Sequence, residues 1–180
     1  MNTSPDEVCE MLETKKKVLV TCSVFDSAHQ VQLWNVVTYE KIAVIEDIST
    51  CGGRDLCQLS DDIICVSGSG DGEGLQLISI SKKAKIKQIK DFSDNKFDAI
   101  YVKNGQLLIG TIEMTEDGNE DEENEENCRG GIKLYSFDEK KLEFNEISSK
   151  EKCHNFPTLG FYELSNGTLL SMSKEVIVWK

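Results

Sequence analysis

One short string recurs four times along the chain, and it constrains the fold more than any other feature. VQLW (31–34), LQLI (75–78), IKLY (132–135) and VIVW (176–179) end at Trp34, Ile78, Tyr135 and Trp179. The intervals between those anchor residues are 44, 57 and 44. The long interval exceeds its neighbours by 13 and contains an acidic stretch, EMTEDGNEDEENEEN (113–127). With that insertion set aside, a single period runs through the sequence. Self-similarity at roughly 20–50 residues marks a repeat architecture, so the repeating unit must be identified first.

Within each period the apolar residues alternate in short runs separated by polar turns, which is the pattern of strands. VLVTCS (18–23), IICVSG (63–68), LLIGTI (107–112) and LLSM (169–172) each precede an anchor string. EKIAVIE (40–46), KAKIKQI (83–89) and KKLEFNEI (140–147) follow the first three. Each unit therefore reads as four strands, a to d, with the anchor on strand c. The expected units span 7–46, 54–92, 97–148 and 157–180. On strand c the pairs Val31/Leu33, Leu75/Leu77, Ile132/Leu134 and Val176/Val178 share one face. Gln32, Gln76, Lys133 and Ile177 share the other face with the anchors. A unit of this size cannot bury an aliphatic face alone, whereas similar units stacked face to face can. The fold class expected is all-β, an array of about four antiparallel blades in one domain over residues 1–180.

The string Ser67-Gly68-Ser69-Gly70-Asp71, three residues, then Leu75-Gln76-Leu77-Ile78 resembles the WD-repeat β-propeller family. The family pattern is S-G-S-x-D-x-x-I-x-L-W-D, and this chain has one extra residue in the turn. Val31-Gln32-Leu33-Trp34-Asn35 and Val176-Ile177-Val178-Trp179 match the same pattern, and Tyr135 replaces Trp in the third unit. The resemblance implies four-stranded blades, a scaffold role in binding proteins, and b–c loops on the face where partners dock. It makes Asp71 the residue that closes a b–c turn, with Asp26 a looser match. No unit has the family's Gly-His pair before strand a, and Trp-Asp is never intact. By resemblance, the family's histidine-containing hydrogen-bond relay is therefore expected to be missing.

About four periods fill the chain, and the last lacks its strand d. Four blades in an open set would expose two apolar faces and an unpaired strand edge. Three arrangements resolve this: a part of a longer propeller, two copies in one eight-bladed ring, or a closed ring of four.

Charge limits the partners. The chain holds 20 Lys and Arg against 32 Asp and Glu, a net charge of −12. Nine acids (Glu113, Glu116, Asp117, Glu120, Asp121, Glu122, Glu123, Glu125, Glu126) belong to the one insertion, and without them the net charge is −3. No basic patch exists to meet phosphates, so no nucleic acid is expected. No run of eighteen apolar residues occurs, so no membrane-spanning helix is expected. The first residues lack the basic and apolar segments of a signal peptide. Seven irregularly spaced cysteines in such a chain read as reduced thiols, which implies a cytoplasmic location.

Candidate chemistry is sparse. Cys153-His154 are adjacent and lack the spacing of zinc ligands or a nucleophilic pair. They fall in the expected d–a connection, while His29 is expected in a loop just before strand c. Asp117, Asn119 and Asp121 have the first spacings of a calcium loop. Glu122 and Cys128 stand where that loop needs Gly and Glu. Gly68–Gly72 precedes a strand and lacks the Gly-Lys ending of a phosphate loop, so it reads as a tight turn. No catalytic set, cofactor or metal is expected. The expected function is a non-enzymatic protein-binding scaffold. In it, Glu116, Asp117, Glu120, Asp121, Glu122, Glu123, Glu125 and Glu126 form a disordered acidic loop for a basic partner. The alternatives are a half-propeller that completes a ring with a second chain or copy, and an enzyme with acids or histidines converging on the channel. Trp34, Ile78, Tyr135 and Trp179 are expected as core anchors.

Overall fold

The computed structural model describes residues 7–25, 28–46, 48, 56–67, 74–90, 97–103, 105–114, 128–156 and 158–179. They form two compact units, Met1–Asp94 and Asn95–Lys180.

The first unit holds two four-stranded antiparallel sheets. One is built from β1 (Glu7–Glu13), β2 (Val18–Phe25), β3 (Ala28–Asn35) and β4 (Lys41–Ile45). The other is built from β5 (Leu56–Gln58), β6 (Ile63–Ser67), β7 (Leu75–Ser79) and β8 (Ala84–Ile89). The second unit holds a sheet of β9 (Phe97–Lys103), β10 (Gln106–Met114), β11 (Cys128–Asp138) and β12 (Glu143–His154). Its other sheet has three strands, β13 (Gly160–Glu163), β14 (Leu169–Met172) and β15 (Val176–Trp179). Every sheet is a simple meander, each strand paired with its sequence neighbour. Among the described residues no fourth strand joins this last sheet.

The repeat extends to the turns. Between the third and fourth strands, Tyr39, Lys83 and Leu142 take the left-handed backbone, with φ of 60°, 55° and 55°. A short polar side chain organises each turn from within. Asn35 Oδ1 accepts from the amides of Val37 and Thr38, and Asp138 Oδ1 accepts from those of Lys140 and Lys141. Ser79 Oγ accepts from the Lys82 amide. Such side chains mimic a backbone turn, which is why they favour these positions. The pairing of third and fourth strands also slips at one place in all three sheets: Leu33/Trp34, Leu77/Ile78 and Leu134/Tyr135.

The core forms where sheets pack in pairs. In the first unit, Val20, Cys22, Val31, Leu33 and Ile45 of one sheet cluster with Leu56, Ile64, Val66 and Ile78 of the next. In the second unit, Leu108 and Ile132, with half-buried Tyr101 and Leu134, cluster with Leu169, Phe161 and Trp179. One rule covers both: the face carrying the aliphatic pair meets the anchor face of the following sheet. Gly110 and Gly130 permit the second junction, because a side chain at either would strike buried Thr158. Tyr101 adds a polar tie across it, donating to Glu163 at 2.8 Å. Burial and that carboxylate push the Tyr101 hydroxyl up to about 12.

The last sheet departs from the expected burial of its aliphatic pair. Val176 is 59% exposed and Val178 is 55% exposed. Two strand limits also differ. β3 begins at Ala28, so His29 lies within the strand, opposite Val24. β12 continues to His154, so Cys153-His154 ends a strand instead of lying in a connection.

Candidate functional site

The four anchors occupy one register position. Trp34 opposes Leu19, Ile78 opposes Ile64, Tyr135 opposes Leu107 and Trp179 opposes Leu169. Two residues earlier on the same strands, Gln32, Gln76, Lys133 and Ile177 oppose Thr21, Val66, Ile109 and Ser171. The chemistry of the two positions varies together. Where the anchor is Trp, the opposed residue on the second strand carries a hydroxyl. Where it is Ile or Tyr, that residue is aliphatic. The reason is the indole N–H, which needs an acceptor once it turns inward. Trp34 Nε1 donates to Thr21 Oγ1 at 3.2 Å, and Trp179 Nε1 donates to Ser171 Oγ at 2.8 Å. Tyr135 reaches outward, its hydroxyl donating to Glu146 at 3.4 Å, and burial with that carboxylate pushes it up to about 12.

In the last sheet the chain of bonds runs further. His154 Nε2 lies 2.7 Å from Ser171 Oγ, and His154 Nδ1 lies 3.7 Å from Glu175 Oε1. Imidazole and hydroxyl are both sealed, His154 at 1% exposure and Ser171 at 0%. His154 ends β12 and Ser171 sits on β14, so the imidazole fastens one sheet of the unit to the next. Burial holds the imidazole pKa below its ordinary value, against the opposing pull of Glu175. Neutral imidazole with its proton on Nδ1, facing Glu175, leaves Nε2 to accept from the Ser171 hydroxyl. The 3.7 Å separation is too long for a hydrogen bond, and Nδ1 has no other partner. Glu175 Oε1 instead accepts from the Asn155 amide at 3.0 Å.

The histidine relay that the missing Gly-His pair argued against is therefore present among the described residues at His154, with Cys153 in the place of the glycine. The signal was available in part. A tryptophan on an inward strand position needs a buried acceptor, and Ser171 is the hydroxyl that the neighbouring strand supplies. What sequence could not supply was the end of β12, which alone brings His154 to Ser171.

Acid, imidazole and hydroxyl in this order resemble a nucleophilic triad, but the geometry removes the reaction. The serine oxygen has no exposed surface, and the indole N–H occupies the lone pair that faces it. The relay instead uses its polar groups to fix sheet to sheet.

A second polar centre lies in the second sheet. Asp62 Oδ2 accepts from Ser79 Oγ at 2.6 Å and Ser81 Oγ at 2.9 Å, and Oδ1 accepts from the Ser81 amide at 2.8 Å. Desolvation raises its pKa, but these bonds outweigh it and hold the carboxyl below its ordinary range. Glu10 behaves oppositely. Burial pushes its carboxyl up to about 7, against a bond from the Leu56 backbone. Among the described residues no three His, Cys, Asp or Glu gather as a metal site. Asp71, Asp26, the 68–72 turn and Glu116, Asp117, Glu120, Asp121, Glu122, Glu123, Glu125 and Glu126 lie outside the described residues.

Neither a protein-family model nor a curated protein sequence matches the chain. Solved structures do. A chain of the Mitotic Checkpoint Complex matches with a TM-score of 0.67 at 10% identity, over 97% of this chain and 49% of its own. The Dos1 propeller matches with a TM-score of 0.60 at 12% identity, over 99% of this chain and 42% of its own. Kluyveromyces lactis Hsv2 matches with a TM-score of 0.52 at 18% identity, over 89% of this chain and 44% of its own. The chain thus spans about half the length of the structures it matches. These likenesses show the fold, an all-β array of β-propeller blades.

Proposed function

From a chain built of β-propeller blades, we propose a non-enzymatic scaffold that holds a protein partner through the segments joining its strands. The observation that carries this reading is the sealed relay. The one described grouping of acid, imidazole and hydroxyl is closed to substrate and is consumed in joining sheets. A propeller is a platform whose binding resides in its connections. Residues 115–127, between β10 and β11, are the segment we assign to a basic partner, with Glu116, Asp117, Glu120, Asp121, Glu122, Glu123, Glu125 and Glu126 as the contacts. Membership of one similar structure in the Mitotic Checkpoint Complex, an assembly, supports the scaffold reading. We place the chain in the reducing cytoplasm.

Met114 and Cys128 are register partners, so an Asn-Gly link in place of 115–127 closes the hairpin without disturbing the sheet. A fluorescent lysine-rich peptide should bind the intact chain with an affinity that falls as salt rises. The shortened chain should bind at least tenfold more weakly. Equal binding by both would remove the segment from the proposed surface.

A further inference from the structure

The bond that His154 accepts from Ser171 exists only while the imidazole is neutral. A serine hydroxyl has one proton and two lone pairs. The Trp179 indole N–H takes one lone pair at 2.8 Å, and the proton goes to His154 Nε2 at 2.7 Å. A protonated ring carries N–H on both nitrogens, so Nε2 can no longer accept. Ser171 would then face N–H groups on two sides, and its own proton would lose its acceptor. His154 is 1% exposed and Ser171 0%, so solvent cannot repair the loss.

The surroundings of the ring do little to hold a positive charge. Glu175 Oε1 stands 3.7 Å from Nδ1 and already accepts from the Asn155 amide, and the Glu175 side chain is 44% exposed. Charged groups on the neighbouring elements have other engagements. Lys174, beside Glu175, lies over the Phe156 ring at 4.1 Å, and Lys150 of β12 lies over the Trp179 ring at 4.8 Å. Glu163 of β13 accepts from Tyr101. Arg129 of β11, the register partner of Glu113 on β10, is exposed, as are Glu151 and Lys152 of β12. The adjacent Cys153 thiol donates to the Gly130 carbonyl.

We propose that this junction is an acid-sensitive catch: a proton taken up by His154 breaks the bond from Ser171 and loosens β13–β15 from β9–β12. The step consumes one proton from solvent and forms one N–H bond at Nε2. It frees Leu169, Phe161 and Trp179 from their packing on Leu108 and Ile132. The sign follows from burial. The folded chain holds the imidazole below its ordinary 6.5, and the opened site regains that value. The catch is therefore fully closed above 6.5 and weakens as pH falls through 6.5 towards the folded value. One pH unit below 6.5, the opened state gains about tenfold in population.

Urea unfolding at about pH 7.5 and about pH 5.5, read by Trp179 fluorescence in a Trp34→Phe chain, tests the catch. Between those conditions the unfolding constant should rise about tenfold more than in a chain that also carries His154→Leu. The comparison cancels the other titrating groups, Glu10 included. Nuclear magnetic resonance gives a reading that leaves position 154 intact. The chain has two histidines, and His29→Gln leaves a single imidazole. Its nitrogen shifts should show the proton on Nδ1 at neutral pH, and the ring of the folded chain should titrate below 6.5. Unfolding constants that move equally in the two chains overturn the proposal. So does an imidazole that carries its proton on Nε2, or one that titrates at or above 6.5 in the folded chain.

Discussion

Replacing Ser171 with alanine removes one oxygen from a buried site that ties two sheets together. That oxygen accepts the indole N–H of Trp179 at 2.8 Å and meets His154 Nε2 at 2.7 Å. His154 is 1% exposed, so water cannot replace the lost partner, and a stranded buried polar group costs about 1–3 kcal/mol. Trp179 is only half-buried, so losing its bond costs about 1 kcal/mol. The substitution should therefore destabilise the second unit by about 2–4 kcal/mol. At about 4–8 °C per kcal/mol for a unit of this size, the melting temperature should fall by at least 8 °C. Thr21→Val in the first unit removes a single 3.2 Å bond and should cost only about 1 kcal/mol. Urea unfolding followed by tryptophan fluorescence measures both losses. A Trp34→Phe background leaves Trp179 as the reporter of the second unit. His154→Leu removes the group that Ser171→Ala strands, so the double variant should cost less than the two single losses combined. A Ser171→Ala loss below about 0.5 kcal/mol, or strict additivity with His154→Leu, would refute the relay as the fastening between these sheets.

Three other substitutions probe separate features. Glu10 is pushed up to about 7 when folded and sits near 4.5 unfolded, so its contribution is fully present below 4.5 and is lost as pH rises through 7. Glu10→Gln should raise stability at pH 8, with the gain vanishing towards pH 4 in urea titrations. Gly130→Ala would drive a methyl into the Phe156 carbonyl oxygen and to 3.0 Å from the Thr158 amide, both backbone. It should cost about 1–3 kcal/mol by thermal melting, with no relief from Thr158→Ala. Asp62→Ala removes three bonds to Ser79 and Ser81 and should cost about 2 kcal/mol. Because the Asp62 pKa is held below its ordinary 3.8, that cost is present above pH 3.8 and fades as pH falls further.

The anchors, their faces and the strand content were legible because a strand has a period of two and its side chains alternate strictly. Val31/Leu33 against Gln32 already fixes which residues share a face, and the recurrence of the string fixes the unit. The turn residues were partly legible, since Asn35, Ser79 and Asp138 are types that close turns locally. The register slip beside each anchor was not, because a bulge leaves the residue alternation of a single strand unchanged. Glu10 illustrates a further limit. An acid in an alternating run reads as solvated, and only the neighbouring sheet makes it buried.

Sequence by itself determined the all-β class, the repeat and the location of the negative charge. These follow from local alternation and counting, which need no knowledge of neighbours. Tertiary structure decided which apolar faces find a partner. Val31 and Leu33 disappear beneath the next sheet, whereas Val176 and Val178, equivalent in sequence, stay open. It also decided that His154 serves Ser171. Hydrogen bonds depend on distances between atoms that a folded chain brings together from residues 17 positions apart. No spacing rule along the chain encodes that separation, because it depends on where β12 ends and how the next sheet packs against it.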